Sequence, residues 1–532
     1  MTSWRSAVRI SHIPFFLFLY GDVIFFIKDS KKILAAFLLA KKLSEKIPNI
    51  QLLQADCSDF VFYYDFLCSE DVHSEHLKFI EDEINCSLKK GIVYENFEMV
   101  ADNAAQYFSD KGFDLKSEIL SQHGKEIISL VRLEGFVDFI FETLELNVVD
   151  LNYVRLLKVE EKDGIKRIYG VVGSNKMDLK KSSKAWEESS KYNGLETLES
   201  LQWAKYKDSC WSWTPNGCRL RSLILREISS GYKAIGCEKI ITSLSCQYSK
   251  DLEHLLYLRE WNKSGKYYEI SPDLEGGSTF DLATMSCKNN YMQKEIISYL
   301  QFFVKIAKIF DFDKRFYVLS KGDSPRGGQK YWCQCQNILE DALQNLNEDY
   351  EVKPSSYDVL GPTIAMLYVD RWGRVLTGPH ITFNCRTEAQ LGRGQNELQQ
   401  VLSCSVVGSL ERFIIFLIEN SKGALPLTFL PEVVRVLTVE EEASSYAETI
   451  VKTLKESNIR ACVDFSSRDL NAKIKDSYHD KIPYVVVVGK SEEQEGLITV
   501  RELGKKVFKK LVLTEFVDKL SMRINEKLGN KI

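Results

Sequence analysis

The sequence predicts a multi-domain α+β protein that ends in a small α/β sandwich. A chain of 532 residues carries about three or four domains. Its 45% hydrophobic and 27% charged residues describe ordinary folded protein. From Pro426 onward, strand-like and helix-like runs alternate at lengths that give a mixed sheet between helices. A net charge of −4 gives no global attraction to nucleic acid or membrane, so RNA affinity must come from local patches. Thirteen cysteines follow no framework spacing, which predicts reduced thiols and a cytoplasmic protein.

The first element is Pro14–Ile27 (PFFLFLYGDVIFFI), apolar and preceded by Arg5 and Arg9 like a signal peptide. Gly21 and Asp22 interrupt it, no small-residue cleavage site follows, and it is too short to span a bilayer. The alternation of Val23, Phe25 and Ile27 favours strands around a Tyr20-Gly21-Asp22 turn. Residues 31–45 then predict an amphipathic helix, Val61–Phe66 a strand and Ser74–Lys89 a charged helix. Val131–Phe141 and Lys166–Val172 read as further strands, and 176–194 as helix plus linker. These make an α+β unit over about residues 30–190.

At 214–232 a Pro/Asn/Gly turn leads into a helix with Leu220, Leu223, Ile224 and Ile228 on one face, stopped by Gly231. Strands follow at 235–243, then helices at Tyr291–Ile309 and Trp332–Asn347. Thr363–Val369 and Arg374–Phe383 predict antiparallel strands joined at Asp370-Arg371-Trp372-Gly373. A helix in GSLERFIIFLIEN closes this unit near residue 420. The last unit reads as strand Val433–Val439, helix Ala443–Ser457, strand Ala461–Asp464, helix Asp469–His479, strand Tyr484–Val488, strand Leu497–Arg501 and helix Leu513–Glu526.

No motif carries chemistry by spacing alone. Cys333 and Cys335 fall on a predicted helix, where i and i+2 face apart, so they make a poor metal clamp. His73 and His76 can share a helix face but have no cysteine or carboxylate cluster beside them. RGG at 326–328, between Lys321 and Lys330, reads as a loop. There is no phosphate-binding Walker loop, no GxSxG and no HExxH. Arg412 heads an oily helix, either as a surface turn or as a guanidinium held for an anion.

Several ordered segments resemble bacterial threonyl-tRNA synthetase, a class II aminoacyl-tRNA synthetase. Residues 426–437, 460–489 and 496–501 resemble the family's anticodon-binding domain. LGPTIAMLYVDRWGRVLTG (360–378) resembles a strand pair of the catalytic core. VVGSLERFIIFLIEN (406–420) resembles motif 3, and WTPNGCRLRSLILREISSGYKAIG (213–236) resembles motif 1, the dimer-interface helix. ILAAFLLAKKL (33–43), FYYDF (62–66), GFVDF (135–139) and KRIYG (166–170) resemble the editing domain. The resemblance implies a remnant N-terminal segment at 1–29, an editing-like domain at 30–195, an antiparallel-sheet catalytic-like domain at 205–425 and an anticodon-binding-like α/β domain at 426–532. It also implies that Arg412 occupies the position of the motif 3 arginine that contacts ATP phosphate.

The departures from the family pattern fall on its chemistry. Where the editing site has an HxxxH pair and a C-x-x-x-H pair, this chain has Ile33 and Phe37, then Ile140 and Leu144. The two zinc histidines align with Thr284 and Ser403, and Cys246 is the one cysteine near the third ligand's place. The motif 2 arginine aligns with Glu260, or with Arg259 if the alignment slips by one. A unit negative charge about 4 Å from a phosphate costs roughly 4 kcal/mol at an effective dielectric of 20. A second arginine is missing near Leu274–Gly276, the acidic residue after the GPxI start is Ala365, and the terminal proline of motif 1 is absent.

The resemblance therefore implies a synthetase-like protein without aminoacylation or editing that binds RNA or partner proteins. Arg468, Lys473, Lys475 and Arg501 are the candidate RNA-binding residues, tRNA the candidate partner, and the motif 1 region the candidate homodimer interface. Glu502 and Leu503 stand where the family has consecutive arginines. No membrane or DNA partner is indicated. The alternatives are a divergent active threonine–tRNA ligase, which alone would need ATP, Mg and Zn, and a dimeric accessory subunit.

Overall fold

The computed structural model describes residues 29–58, 60–140, 151–162, 164–207, 210–241, 265–272, 278–322, 329–346, 348–354, 361–385, 399–505 and 507–528. The expectations for Pro14–Ile27, Leu144, Cys246, Arg259, Glu260, 274–276 and 326–328 lie outside the described residues. The chain divides into two compact units. One runs to Lys191 and takes in Arg371–Val375; the other comprises Tyr192–Asp370 and Leu376–Ile532.

The first unit contains α1 (Ser30–Lys46), β1 (Gln51–Cys57), β2 (Phe62–Leu67), α2 (Ser74–Lys90), β3 (Tyr94–Val100), α3 (Ala101–Asp110) and α4 (Asp114–Ser121). It continues with β4 (Ile127–Leu133), β5 (Phe136–Ile140), β6 (Tyr153–Lys162), β7 (Ile165–Gly173) and α5 (Lys176–Ser189). Its strands form two antiparallel sheets, β1-β2-β7-β6 and β3-β4-β5. Asp29 caps α1 by accepting from the Lys31 N–H, and the apolar run Ile33–Ala40 is buried throughout. His73 stands before α2 rather than on it. Its backbone N–H donates to His76 Nδ1 at 3.2 Å, so the histidine pair caps a helix start.

The single strand expected over Val131–Phe141 is instead, among the described residues, the end of the first arm, the turn and the second arm of a hairpin, β4–β5. Glu134 (φ 47°) and Gly135 (φ 90°) both adopt the left-handed conformation that reverses the chain in two residues. Apolar residues flank the turn on both sides, which hides it from a hydropathy reading.

The second unit begins with α6 (Gly194–Ser200), β8 (Ala204–Lys207), β9 (Cys210–Trp213), α7 (Pro215–Ala234), β10 (Glu238–Lys239), β11 (Gly265–Pro272), β12 (Thr279–Lys288), α8 (Asn289–Ile309), β13 (Arg315–Lys321), α9 (Gln329–Asn345) and β14 (Tyr350–Pro354). β15 (Thr363–Val369), β16 (Val375–Phe383), β17 (Gln399–Ser405) and α10 (Leu410–Asn420) complete an eight-stranded, mainly antiparallel sheet ordered β10-β11-β12-β17-β16-β15-β13-β14. One face of that sheet carries Tyr268, Ala283, Met285, Ile364, Ile381 and Cys404 into a core shared with α7, α8 and α10.

Two expectations about α7 change. The Pro/Asn/Gly run is the first helical turn, with Thr214 as N-cap and Pro215 at a position needing no N–H donor. Gly231 does not stop the helix, which continues to Ala234. It permits close packing instead: a Cβ there would lie 1.8 Å from Phe302 Cε2 on α8. The strands expected over 235–243 reduce, among the described residues, to Glu238–Lys239.

The chain ends with β18 (Val434–Thr438), a 3₁₀ turn (Glu441–Ala443), α11 (Ser444–Glu456), β19 (Ala461–Asp464), α12 (Leu470–His479), β20 (Tyr484–Val488), α13 (Lys490–Glu495), β21 (Leu497–Glu502), β22 (Lys509–Val512) and α14 (Leu513–Leu528). The sheet order is β19-β18-β20-β21-β22. β18 pairs parallel with β19 and β20, and β21 pairs antiparallel with β20 and β22, giving the mixed sheet expected. Among the described residues, no helix is long and apolar enough to cross a membrane.

Candidate functional sites

The positions aligned with the two zinc histidines meet in the eight-stranded sheet. Thr284 of β12 pairs directly with Ser403 of β17, and Ser403 pairs on its other side with Thr382 of β16. Their chain neighbours Ala283, Cys404 and Ile381 enter the core, so strand alternation puts the three hydroxyl residues on the opposite face. Thr382 Oγ1 lies 2.9 Å from Thr363 Oγ1, extending a buried hydroxyl row to β15. Zinc is held by thiolate, imidazole or carboxylate, and neutral hydroxyls do not replace them. This face therefore does not fit the metal. Among the described residues no group of three or more His, Cys, Asp or Glu is placed to hold one. Cys335 is buried and Cys333 half-buried on α9, so the two thiols point apart.

At the end of the same sheet, the turn into α10 is built around Asp281. Its carboxylate accepts from Tyr232 OH (2.5 Å), Ser405 Oγ (3.0 Å), and the Val406 and Val407 N–H groups (2.7 and 2.9 Å). Ser409 then caps the helix by accepting from the Arg412 N–H at 3.3 Å. Glu411 has no exposed surface. Its Oε2 accepts the Thr279 N–H at 2.7 Å, and Arg221 Nη2 of α7 lies 3.1 Å from its Oε1. Burial pushes the Glu411 carboxyl above the usual range, opposed by the Thr279 N–H and Arg221. Arg412 is half-buried at the helix head, where a guanidinium suits an anion. Asp281 and Arg221 escaped the sequence reading. A lone acidic residue inside the otherwise apolar-alternating STFDLATM run was the available signal for Asp281.

In the first unit the positions aligned with the editing histidines and cysteine are filled by packing. Ile33 and Phe37 have no exposed surface, and Ile140 joins the same apolar cluster. The polar groups within this unit's core bind one another: Lys116 Nζ lies 2.5 Å from Asp138 Oδ1, and Tyr64 OH donates to Asp138 Oδ2 at 2.7 Å. Burial pulls the Lys116 amine down, opposed by Asp138.

The four candidate RNA-binding residues separate. Lys473 does not line a surface. It is buried, and its ammonium donates to the Thr438 and Asp464 carbonyls, each at 3.3 Å, at the ends of β18 and β19. A strand-end carbonyl pair without water needs such a donor, so Lys473 is a fold residue. Arg468 is exposed but tied to Asp464 and Asp476. Lys475 is exposed on α12. Arg501 on β21 lies between aromatic rings, 4.8 Å from the Tyr478 centroid and 5.1 Å from that of Phe508. Val507 and Phe508 are exposed beside it. A guanidinium between aromatic rings makes a stacking surface. Lys505 is paired with Glu502 at 2.5 Å and Lys510 with Glu495 at 2.8 Å, and Lys509 is exposed on β22. Glu502 is also bound by Arg523.

Comparison with known proteins gives a consistent picture. Residues 433–523 match the family model described as an anticodon binding domain. Threonine–tRNA ligase of Sulfurihydrogenibium sp. (strain YO3AOP1) is 25% identical, over 94% of this chain and 90% of its own. That of Bordetella petrii is 25% identical over 91% of this chain and 85% of its own, and that of Dehalococcoides mccartyi 24% over 88% and 92%. Among solved structures, the RNA binding domain of threonyl-tRNA synthetase from Cryptosporidium parvum Iowa II aligns with TM-score 0.55 and 18% identity. That match covers 62% of this chain and 98% of that one. A putative threonyl-tRNA synthetase from Aeropyrum pernix aligns with TM-score 0.53 and 15% identity, over 64% and 97%.

Proposed function

We propose that this chain, a homologue of threonine–tRNA ligases with an anticodon-binding domain at 433–523, binds tRNA without charging or editing it. The observation that carries this reading is the Thr284–Ser403 pair. Both positions lie side by side on the sheet face where the resemblance calls for metal ligands, and both carry neutral hydroxyls. The apolar packing of Ile33, Phe37 and Ile140 supports the loss of editing in the same way. The domain reading is 1–29 remnant, 30–195 editing-like, 205–425 a class II catalytic-like domain and 426–532 anticodon-binding-like. We further propose a cytoplasmic homodimer built through α7.

The Arg501–Tyr478–Phe508 stack with Lys475 is the part of the C-terminal domain that supports RNA contact. Arg412 supports the alternative of a living ligase, in which it would meet an ATP phosphate. Threonine-dependent ATP–pyrophosphate exchange, with zinc content measured on the same sample, separates the two. The expected result is background exchange and no stoichiometric zinc. Exchange that Arg412→Ala abolishes would overturn the inactive reading.

A further inference from the structure

The C-terminal sheet ends differently on its two sides. β22 forms one edge and opens on the exposed pair Lys509-Lys510, a charged edge of the kind that resists pairing with another strand. β19 forms the other edge, and its sequence Ala461-Cys462-Val463-Asp464 holds no lysine and no proline. Its one charge is turned aside: Asp464 accepts the Ser466 N–H at 2.9 Å and lies 3.5 Å from Arg468 Nη2. Phe465, directly after the strand, is 54% exposed. β19 therefore presents backbone donors and acceptors without the lysine or proline that guards a free edge.

α11 runs alongside this edge. It connects the parallel strands β18 and β19, so it runs antiparallel to both. Its last turn, with Lys455 and Glu456, lies by the start of β19, and Glu448 lies toward the strand's end. A groove between helix and strand is lined by Val451 on one side and by Cys462, Val463 and Phe465 on the other. Glu448, Lys452, Lys455 and Glu456 are exposed along it. Among the described residues none of these four enters an ion pair, whereas Glu440 and Glu442 just before α11 are both bound by Lys490. The groove thus has a charge direction. Glu448 stands alone at one end, and toward the other Lys452 and Lys455 outnumber Glu456.

We infer that this edge pairs with the same edge of a second copy of the chain, β19 against β19, antiparallel. Two identical antiparallel strands are related by a two-fold axis, which sets the start of each against the end of the other. The lysine end of each groove then meets the partner's Glu448, once on either side of the axis. Val463 and Phe465 are covered in the same step. A polyanion finds no such match, since the charges along the groove cancel. The contact uses no residue of α7 and does not depend on tRNA binding.

Sedimentation equilibrium of the full chain tests it, comparing the parent with Phe465→Lys, Glu448→Lys and the double variant Glu448→Lys/Lys455→Glu. The parent is expected to self-associate as concentration rises. Phe465→Lys should weaken that step about tenfold or more, by putting a charge into the covered groove. Glu448→Lys should weaken it about tenfold, because two attractive pairs become repulsive. Adding Lys455→Glu restores opposite charges across the axis and should recover most of that loss. If Phe465→Lys fails to fold, the two exposed charge variants carry the test. Hydrogen exchange supplies a second reading: amides of 461–464 should slow as association proceeds, and those of 509–512 should not. A parent that keeps one mass up to about 100 μM overturns the pairing. So does an association that Phe465→Lys and Glu448→Lys both leave unchanged, which assigns it to another surface and leaves the α7 homodimer standing. Association without slower exchange over 461–464 overturns it as well. Slower exchange there on adding unfractionated tRNA, at constant protein mass, would give the edge to RNA instead.

Discussion

Glu411 carries a carboxylate with no exposed surface, answered by one backbone N–H and by Arg221. Removing Arg221 leaves that charge buried without its cation. Arg221→Met keeps most of the packing over Trp213 and is expected to cost about 2 kcal/mol near pH 7, less than breaking a fully buried pair because the arginine is 21% exposed. The pH dependence follows from the raised folded pKa of Glu411. A carboxyl whose folded pKa is raised keeps its proton to higher pH in the folded state than in the unfolded one, so its contribution is fully present below the unfolded value and is lost as pH rises through the folded one. The cost of Arg221→Met should therefore shrink as pH falls from 7 toward the ordinary carboxylate range, where Glu411 protonates in both forms. Thermal melts of both proteins across that range check it, and a cost independent of pH would show that packing, not charge, holds Arg221. The sequence marked Glu411 and Arg412 as odd at the head of an oily helix. It did not offer Arg221, because the pairing is set by how α7 crosses the sheet and not by any local spacing.

At the scale of elements, four strands of the C-terminal sheet were legible as short β-rich runs, whereas the edge strand β22 was not, because it opens on the exposed pair Lys509-Lys510. YVVVV is buried at all five positions, as a central strand with helices on both faces must be. The hairpin at Glu134-Gly135 and the continuation of α7 past Gly231 were not legible, because each depends on a backbone conformation or a neighbour outside the local pattern. Gly231→Ala tests the second case. Helix propensity alone would favour alanine by about 1 kcal/mol. The clash with Phe302 should outweigh that and lower stability by about 1–3 kcal/mol. Replacement of Phe302 by leucine in the same chain should recover part of the loss. The basic residues of the last domain divide likewise. Lys473→Met should lower the melting temperature by stranding two strand-end carbonyls. At a temperature where the variant is folded, its tRNA affinity should stay unchanged. Arg501→Ala should do the reverse, weakening tRNA binding several-fold with little change in melting. Sequence alone put the two residues in one group; burial separates them.

Among the described residues, the first unit has three apolar clusters of its own. Ile33, Phe37, Tyr64 and Ile140 belong to one cluster, Phe108, Leu130 and Phe139 to a second, and Val61, Val171 and Leu179 to a third, all before Lys191. Both antiparallel sheets of that unit close among strands of the same stretch. A stretch of this size buries enough surface to fold alone. Residues 29–191 expressed separately should therefore give one cooperative thermal transition and a dispersed amide spectrum. Within that fragment, Lys116→Met should be costly, by about 3 kcal/mol, because Asp138 would keep only Tyr64 OH and a backbone N–H as partners. The double variant Lys116→Met/Asp138→Leu should recover much of that loss, since replacing both members of a buried ion pair by apolar groups is often neutral. A fragment that stays unfolded under native conditions would mean that its three cores are not self-sufficient. A folded fragment that tolerates Lys116→Met alone would instead show that the buried pair contributes nothing to stability as a pair.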